Sequence, residues 1–237
     1  MRTSDVVADL WVRAHAPNPR LQFLSDRWPQ PAMVTTDSSI RVVRSELELE
    51  DVGRLRNDVR AARAGQPHAG GEVGDRTVVD EIDRCSLVFV AEHQGRELAT
   101  VRLSRAIDAL GDSHLAPLIE AVQPADLAVT VVVSRFAVIP ERQARALALP
   151  MFFQAYRSMH LVGARCALMT IHATMVQVFA QFGWKPTGEV VHDPFAGEMQ
   201  ILRHDLLDMT LLRAADSPLA SIASDFFRHE GRAATPR

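Results

Sequence analysis

One segment fixes the expected architecture, namely Thr130-Val-Val-Val-Ser-Arg-Phe-Ala-Val-Ile-Pro140. Its β-branched and apolar residues predict a buried strand that ends at the proline. Arg135 lies within this strand, and burial of a guanidinium group without a partner is costly. The segment therefore predicts that Arg135 meets a carboxylate or a ligand, or that it lies on a hydrated face of the sheet.

The composition is that of an ordinary globular protein. Hydrophobic residues make up 47% of the 237 residues and the net charge is −3, so the chain can build a full core and lacks the basic excess of a nucleic-acid-binding protein. Cys85 and Cys166 have no metal-type spacing, and neither has any His/Asp/Glu set, which predicts no metal site and a cytoplasmic protein with reduced thiols. We expect no signal peptide, and no uncharged run approaches the ~18 residues that a membrane span needs.

The hydrophobic periodicity predicts an α/β (α+β) domain with a mixed, mostly antiparallel central sheet. The expected strands are 40–44, 87–91, 98–104, 129–138, 165–172, 187–193 and 198–204, and the expected helices are 46–64, 116–122, 142–162 and 174–182. We expect an N-terminal extension over residues 1–39, the domain itself over 40–205 and a C-terminal helical tail over 206–237. The glycines between residues 65 and 76 predict a mobile loop.

The order of elements from residue 129 to residue 184 resembles the core of the GCN5-related N-acyltransferase (GNAT) fold. In that family a central strand leads to a turn that binds a pyrophosphate, and then to a helix, a strand, a second helix and a Gly-aromatic pair. The corresponding turn is Glu141-Arg-Gln-Ala-Arg-Ala-Leu-Ala148, and the ending is Phe179-Ala-Gln-Phe-Gly-Trp184. The resemblance puts His172 where relatives often have an asparagine that contacts the pantetheine arm.

Three further motifs are similar to one branch of that fold. They are Asp80-Glu-Ile-Asp-Arg-Cys-Ser86, Thr100-Val-Arg-Leu103 and Ser134-Arg-Phe-Ala-Val138. Their order and spacing resemble the acyl-homoserine-lactone synthases and long-chain N-acyl amino acid synthases, whose preceding helix carries an arginine that Arg56 matches. The resemblance covers residues 40–205.

The resemblance implies an N-acyltransferase. Such an enzyme moves an acyl group from the phosphopantetheine thioester of an acyl carrier protein, or from acyl-CoA, to the amine of an amino acid or similar small acceptor. One alternative is an acyl-homoserine-lactone synthase that uses S-adenosylmethionine. Another is a non-catalytic domain that binds an acyl carrier or a partner protein.

The chain departs from the family pattern at several positions. Val78 and Val132 stand where relatives have acidic residues, and the segment 60–67 lacks the aromatic residues that help the lactone synthases to hold S-adenosylmethionine. The turn 141–148 lacks the glycines that let backbone N–H groups approach a phosphate. These differences favour an acyl carrier protein over CoA as the donor and argue against S-adenosylmethionine as the acceptor.

The candidate site is built around two acids and two arginines. Asp80 and Asp83 are three residues apart, so both carboxylates share one face of a helical turn and are expected to pair with Arg102 or Arg135 and to position the amine. The predicted catalytic residues are Asp80, Asp83, Arg102, Ser134, Arg135 and His172; the predicted donor-binding residues are Phe136, Val138, Arg142 and Arg145; the predicted substrate-binding residues are Arg56, Phe152 and Phe179.

Each of these residues also has a purely structural interpretation. The acids can cap a helix or form plain ion pairs, and the arginines can serve as their partners. Ser134 can be an ordinary strand residue, and His172 a structural histidine. Phe152 can line an acyl tunnel or simply pack in the core.

Overall fold

A mixed sheet forms the centre of the computed structural model, which describes residues 32–35, 37–63, 79–193 and 196–233. Its strands are β1 (Ala32–Thr35), β2 (Ser38–Val42), β3 (Leu87–His93), β4 (Arg96–Arg105), β5 (Thr130–Val138), β6 (Cys166–Ile171), β7 (Lys185–Asp193) and β8 (Gly197–Asp205). The order across the eight-stranded sheet is β1-β2-β3-β4-β5-β6-β8-β7. Each neighbouring pair is antiparallel except β5 and β6, which are parallel.

Helices cover both faces of this sheet. They are α1 (Glu46–Arg63), α2 (Ala116–Val122), α3 (Arg142–Leu161), α4 (Val176–Ala180), α5 (Met209–Ala214) and α6 (Leu219–Ala233). Residues of α1, α3, α5 and α6 share the larger hydrophobic core, whereas residues of α2 belong to a second core.

Strand β5 is buried on both faces, as its continuous run of valines predicts. Val131 and Val133 belong to the larger core, and Val132, which points to the opposite face, belongs to the second core. The strand thus separates the two cores and lies in the middle of the sheet. Val132, at the position where relatives have an acid, is fully buried in apolar surroundings.

The two parallel strands separate part of the way along their length. β5 pairs with β6 only from Thr130 to Val133, opposite Cys166 to Met169. Beyond this point β5 continues along β4, and β6 continues along β8. The sheet is therefore open between β5 and β6 at their carboxyl ends, and the residues after Val133 border this gap.

The predicted sheet and most element positions are confirmed, with differences at the ends. The sheet begins at Ala32, so β1 and the first residues of β2 fall inside the expected N-terminal extension. The helix expected over 174–182 is a 3₁₀ turn, Ala173–Met175, followed by the short α4. Residues 1–31 and the expected loop over 65–76 lie outside the described residues, as does Val78.

Long apolar helices of the kind that cross membranes are not found among the described residues. The longest helix, α3, has 20 residues and carries arginines along its length.

Candidate active site

A β-bulge in the middle of β5 sets the direction of the Arg135 side chain. The register with β4 shifts between Thr100 and Arg102, so that β5 contains one extra residue at this point. Arg135 has a φ of +53°, in the left-handed region that residues other than glycine rarely adopt. Bulges redirect side chains and occur often beside active sites.

Arg135 forms a two-pronged ion pair with Asp80. Its Nε donates to Oδ2 and its Nη2 donates to Oδ1, both at 2.9 Å. Asp80 also accepts a hydrogen bond of 2.8 Å from Nη1 of Arg102. The side chains of Arg135 and Asp80 are 21% and 20% exposed, whereas that of Arg102 is 1% exposed. The Asp80–Arg135 pair therefore lies at the boundary between the interior and solvent.

The carboxylate of Asp83 is fully buried and supports this pair from the interior of the protein. Asp83 accepts two hydrogen bonds from Arg56, at 2.8 and 3.0 Å, and a longer one from Arg102, at 3.3 Å. It also accepts a bond of 2.8 Å from the backbone N–H of Asp80, which closes the first turn of the 3₁₀ helix Glu81–Cys85. Asp83 thus fixes both the backbone of Asp80 and the guanidinium group of Arg102.

Ser134 completes the network by holding the other side of Arg102. Its Oγ accepts a hydrogen bond of 3.0 Å from Nε of Arg102. One hydrogen-bonded network therefore connects five of the predicted residues, Asp80, Asp83, Arg102, Ser134 and Arg135, and Arg56 joins it through Asp83.

Two guanidinium groups surround the carboxylate of Asp80. Arg102 donates one hydrogen bond to it and Arg135 donates two. Burial raises the pKa of Asp80, but the charges and hydrogen bonds of Arg135 and Arg102 lower it, and the net effect holds its pKa below the ordinary value of an aspartate. Asp80 is consequently a carboxylate at neutral pH and a weak base.

The gap between β5 and β6 begins beside this network. Ser134 is the first residue of β5 beyond the last pair with β6, and Phe136, two residues later, is 38% exposed. Val138, the last residue of β5, is half-buried. On the other side of the gap, Thr170 at the end of β6 is exposed.

His172 follows β6 and lies apart from the acid–arginine network. Its ring nitrogen Nδ1 is 3.0 Å from Oγ1 of Thr174, and the side chain caps the 3₁₀ turn Ala173–Met175. The ring is exposed to solvent. A structural role for His172 is therefore visible, and a catalytic role remains a prediction.

Arg142 and Arg145 lie in the first turn of α3, and both are exposed. The residue before them, Glu141, is the N-cap, but its carboxylate makes no capping bond and pairs with Arg96 at 2.9 and 3.1 Å. The sequence did not indicate this ion pair, because Arg96 lies on β4 and is distant along the chain.

Phe152 and Phe179 lie in an aromatic cluster between α3 and α4. Their rings meet edge to face at 5.5 Å, and Phe182, which the sequence analysis did not single out, meets Phe152 at 5.4 Å. Phe152 is 6% exposed and belongs to the larger core. These contacts are those of core packing, and contact with an acyl chain remains a prediction.

Among the residues that the structure describes, no group of three or more His, Cys, Asp or Glu side chains is arranged to hold a metal ion. Both cysteines are free thiols, and burial raises the pKa of each.

Comparison with solved structures supports the predicted fold. FeeM, an N-acyl amino acid synthase from uncultured soil microbes, matches with a TM-score of 0.55 and 13% identity over 79% of this chain and 98% of its own. BjaI, a CoA-dependent acyl-homoserine lactone synthase solved with SAM and isopentyl-CoA, matches with a TM-score of 0.55 and 18% identity over 79% of this chain and 98% of its own. A putative N-acetyltransferase from Lactobacillus plantarum matches with a TM-score of 0.50 and 14% identity over 73% of this chain and 100% of its own. The GNAT-like fold is thereby confirmed.

At the level of sequence, no curated protein matches the chain significantly. The family profile of N-acyl amino acid synthase FeeM, however, matches residues 51–205, which include the acids, the arginines and the whole of β3 to β8. The chain therefore belongs to the FeeM family of N-acyl amino acid synthases, and its chemistry is the transfer of an acyl group to an amine.

Proposed function

We propose that the chain transfers an acyl group from the phosphopantetheine thioester of an acyl carrier protein to the amine of an amino acid or similar small acceptor. The thioester lies in the gap between β5 and β6, and the acceptor lies over Asp80 and Arg135. The observation that carries this proposal is the partly exposed Asp80–Arg135 pair beside the point where the two strands separate.

The side chain of Arg135 favours an acceptor with a carboxylate. Nε and Nη2 of Arg135 are occupied by Asp80, whereas its Nη1 has no recorded partner within the described residues. A guanidinium group with one free edge is suited to a charge-assisted bond to a substrate carboxylate. The carboxylate of Asp80 is then available to hold the acceptor amine.

The entrance to the gap favours a carrier protein as the donor. The first turn of α3 has no glycine for close approach to a diphosphate, and its N-cap Glu141 is an acid. Arg142 and Arg145 are exposed there, where they suit the phosphate and the acidic surface of an acyl carrier protein. Phe136 and Val138 line the gap on the β5 side, so they would contact the pantetheine arm.

The reaction forms one bond and breaks one. The amine nitrogen attacks the thioester carbonyl carbon, the C–N bond forms, the C–S bond breaks, and the amine proton leaves as the pantetheine thiol takes one up. Backbone N–H groups of β5 that no longer pair with β6 can stabilise the developing oxyanion. His172, at the opposite border of the gap, is our candidate to take the proton, because Val132 replaces the acid of relatives and Asp80 is a weak base.

The function is tested by incubating the purified chain with acyl carrier protein thioesters or acyl-CoA and a pool of amino acids. Mass spectrometry identifies the product, and a thiol reagent follows the release of pantetheine. We expect an N-acyl amino acid and faster turnover with the carrier protein. A product that forms only with S-adenosylmethionine supports the lactone synthase instead, and the absence of thiol release with every donor supports the non-catalytic domain.

The role of Arg135 is tested by Arg135→Ala. Loss of one charge-assisted hydrogen bond, at about 1.5–3 kcal/mol, lowers kcat/KM about 10- to 100-fold. The matched control is Arg54→Ala, which removes an exposed arginine of α1 that pairs with Asp51. Full activity of Arg135→Ala would show that the assigned role is wrong.

The donor is tested by reversing two charges, Arg142→Glu with Arg145→Glu. We expect a lower kcat/KM with the acyl carrier protein and little change with a short pantetheine thioester, which lacks the acidic protein surface. Arg157→Glu, on an exposed position further along the same helix, is the control. An equal loss with both donors would contradict docking at this end of α3.

A further inference from the structure

A chain of aromatic rings connects the sheet to the C-terminal helix. The ring of His204 on β8 is 5.5 Å from that of Tyr156 on α3, and Tyr156 is 4.9 Å from His160, one turn further along α3. His160 stacks on Phe226 of α6 at 5.0 Å with an interplanar angle of 13°. On its other side, His204 meets the ring of Trp184 at 5.3 Å.

The inner part of this ring chain is buried with few polar partners. His204 and Tyr156 are 0% exposed and Trp184 is 1% exposed. Among the described residues, the Tyr156 hydroxyl and the Trp184 indole N–H have no hydrogen-bond partner, and the His204 ring meets only the backbone carbonyl groups of Phe182 and Asp205, in poor geometry. An imidazole can remain in such a place only when it is neutral, because an unpaired buried charge is very costly.

The groups around His204 do little to favour its charged form. The carbonyl groups of Phe182 and Asp205 and the carboxylates of Asp205 and Asp208 raise its pKa, but burial outweighs them and lowers the pKa to about 4. From α3, the ring faces Tyr156 and His160, and the pKa of His160 is itself lowered to about 4 by burial and by His204. Both histidines are therefore neutral at pH 7.

Helix α5 lies near His204, with Gly183 between them. A methyl group placed on Gly183 would lie 3.2 Å from Nε2 of His204 and 2.9 Å from Cδ2 of Leu212 on α5. Helix α5 packs on α6, and α6 packs on α3. These two helices follow the last strand, so they can move away without breaking any strand pair of the sheet.

We propose that α5 and α6 form a cover that dissociates from α3 and the sheet in acid, when His204 or His160 takes up a proton. Release lets water reach the charged imidazole. The ion pairs of Asp80 persist over the same pH range, since Arg135 and Arg102 hold the pKa of its carboxyl group below the ordinary value. This inference is independent of the proposed function.

The test uses the full chain with Trp11→Phe and Trp28→Phe, so that Trp184 is the only tryptophan. Because a protonated imidazole quenches a neighbouring indole, we expect a reversible loss of Trp184 fluorescence with a midpoint between pH 6.5, the ordinary histidine value, and about 4. Hydrogen exchange, corrected for its intrinsic pH dependence, should increase over residues 209–226 while β3 to β5 stay protected. Simultaneous loss of protection in the helices and the sheet would overturn the proposal.

Two variants distinguish this mechanism from general acid unfolding. His204→Gln cannot take up a proton, and we expect it to move the exchange transition of residues 209–226 to lower pH by about one unit or more. If His204→Gln does not fold, His160→Phe serves, because it removes the second titrating ring. The control is His192→Gln, on an exposed position of β7. A transition that stays at the same pH in each of these two variants that folds would refute the proposal.

Discussion

Asp83 is the residue on which the geometry of the site depends. Its side chain has no exposed area and lies between the guanidinium groups of Arg56 and Arg102. It also accepts the backbone N–H of Asp80, so its loss would affect the position of the half-exposed acid as well. We therefore propose that Asp83 is a positioning residue, whereas Asp80 and Arg135 are the residues that contact the substrate.

Asp83→Asn should be strongly destabilising. It leaves two buried guanidinium groups with too little negative charge, and breaking a buried ion pair from one side costs about 3–5 kcal/mol. Urea denaturation measures the loss. Asp51→Asn, which removes the partner of exposed Arg54, should change the free energy of unfolding by less than about 0.5 kcal/mol. A similar small change for Asp83→Asn would mean that the buried pair contributes little.

The pairing of Arg135 with an acid could be predicted from the sequence, because a buried charged group needs a partner of opposite charge. An arginine among valines needs an acid, and Asp80 and Asp83 form the acidic motif of the recognised pattern. The division of labour between the two acids could not be predicted, because it depends on a difference in exposure of 20% against 0% that arises only from tertiary packing.

At the level of the strand, the bulge in β5 stores local strain. Arg135 occupies the left-handed region, which glycine adopts without cost and which β-branched residues strongly avoid. Such strain is found where the surrounding structure enforces an unusual backbone for function. Here the ion pair with Asp80 holds the side chain in place.

Comparison of Arg135→Gly with Arg135→Val isolates this strain. Both variants lose the guanidinium group, so the difference between them reports the backbone alone. We expect Arg135→Val to be less stable than Arg135→Gly by about 1–2 kcal/mol in urea denaturation. Equal stabilities would indicate that the bulge relaxes when the ion pair is absent.

The strands and helices were largely predictable, whereas the bulge was not. The apolar runs gave β5 and α3 to within a residue or two of the observed ends. A bulge depends on the register between two strands, and neither Ser134 nor Arg135 is a residue type that signals a left-handed backbone. The length of α4 was overestimated, because the residues that follow it, up to Gly183, form hydrogen bonds of the tighter 3₁₀ pattern.

At the scale of the molecule, Gly183 joins the sheet to the C-terminal helices. It has a φ of +86° and lies within close contact of His204 and Leu212. The sequence indicated Gly183 as the end of a helix, but not the ring chain next to it. Tyr156, His204 and Phe226 are far apart in the sequence, and no local pattern shows that they meet.

Gly183→Ala should weaken the attachment of α5. The new methyl group would meet Leu212 at 2.9 Å, so overpacking of about 1–3 kcal/mol adds to the cost of the left-handed backbone. Gly95→Ala is the matched control, because Gly95 has a φ of +75° and no atom within 4 Å of the added group. Thermal unfolding should place Gly183→Ala well below Gly95→Ala, and equal values would show that Leu212 yields without cost.

The short parallel contact between β5 and β6 also has a consequence for how the chain folds. Only four residues of each strand join the part of the sheet from β1 to β5 to the part from β6 to β8. Pairing within each part is antiparallel, with tight hairpins at β3–β4 and β7–β8, whereas the parallel contact must wait for the crossover through α3. The chain is thus expected to assemble as two preformed halves that join last, along the edge of the proposed thioester site. Pulse-labelled exchange should find amides at that junction protected after those of either half.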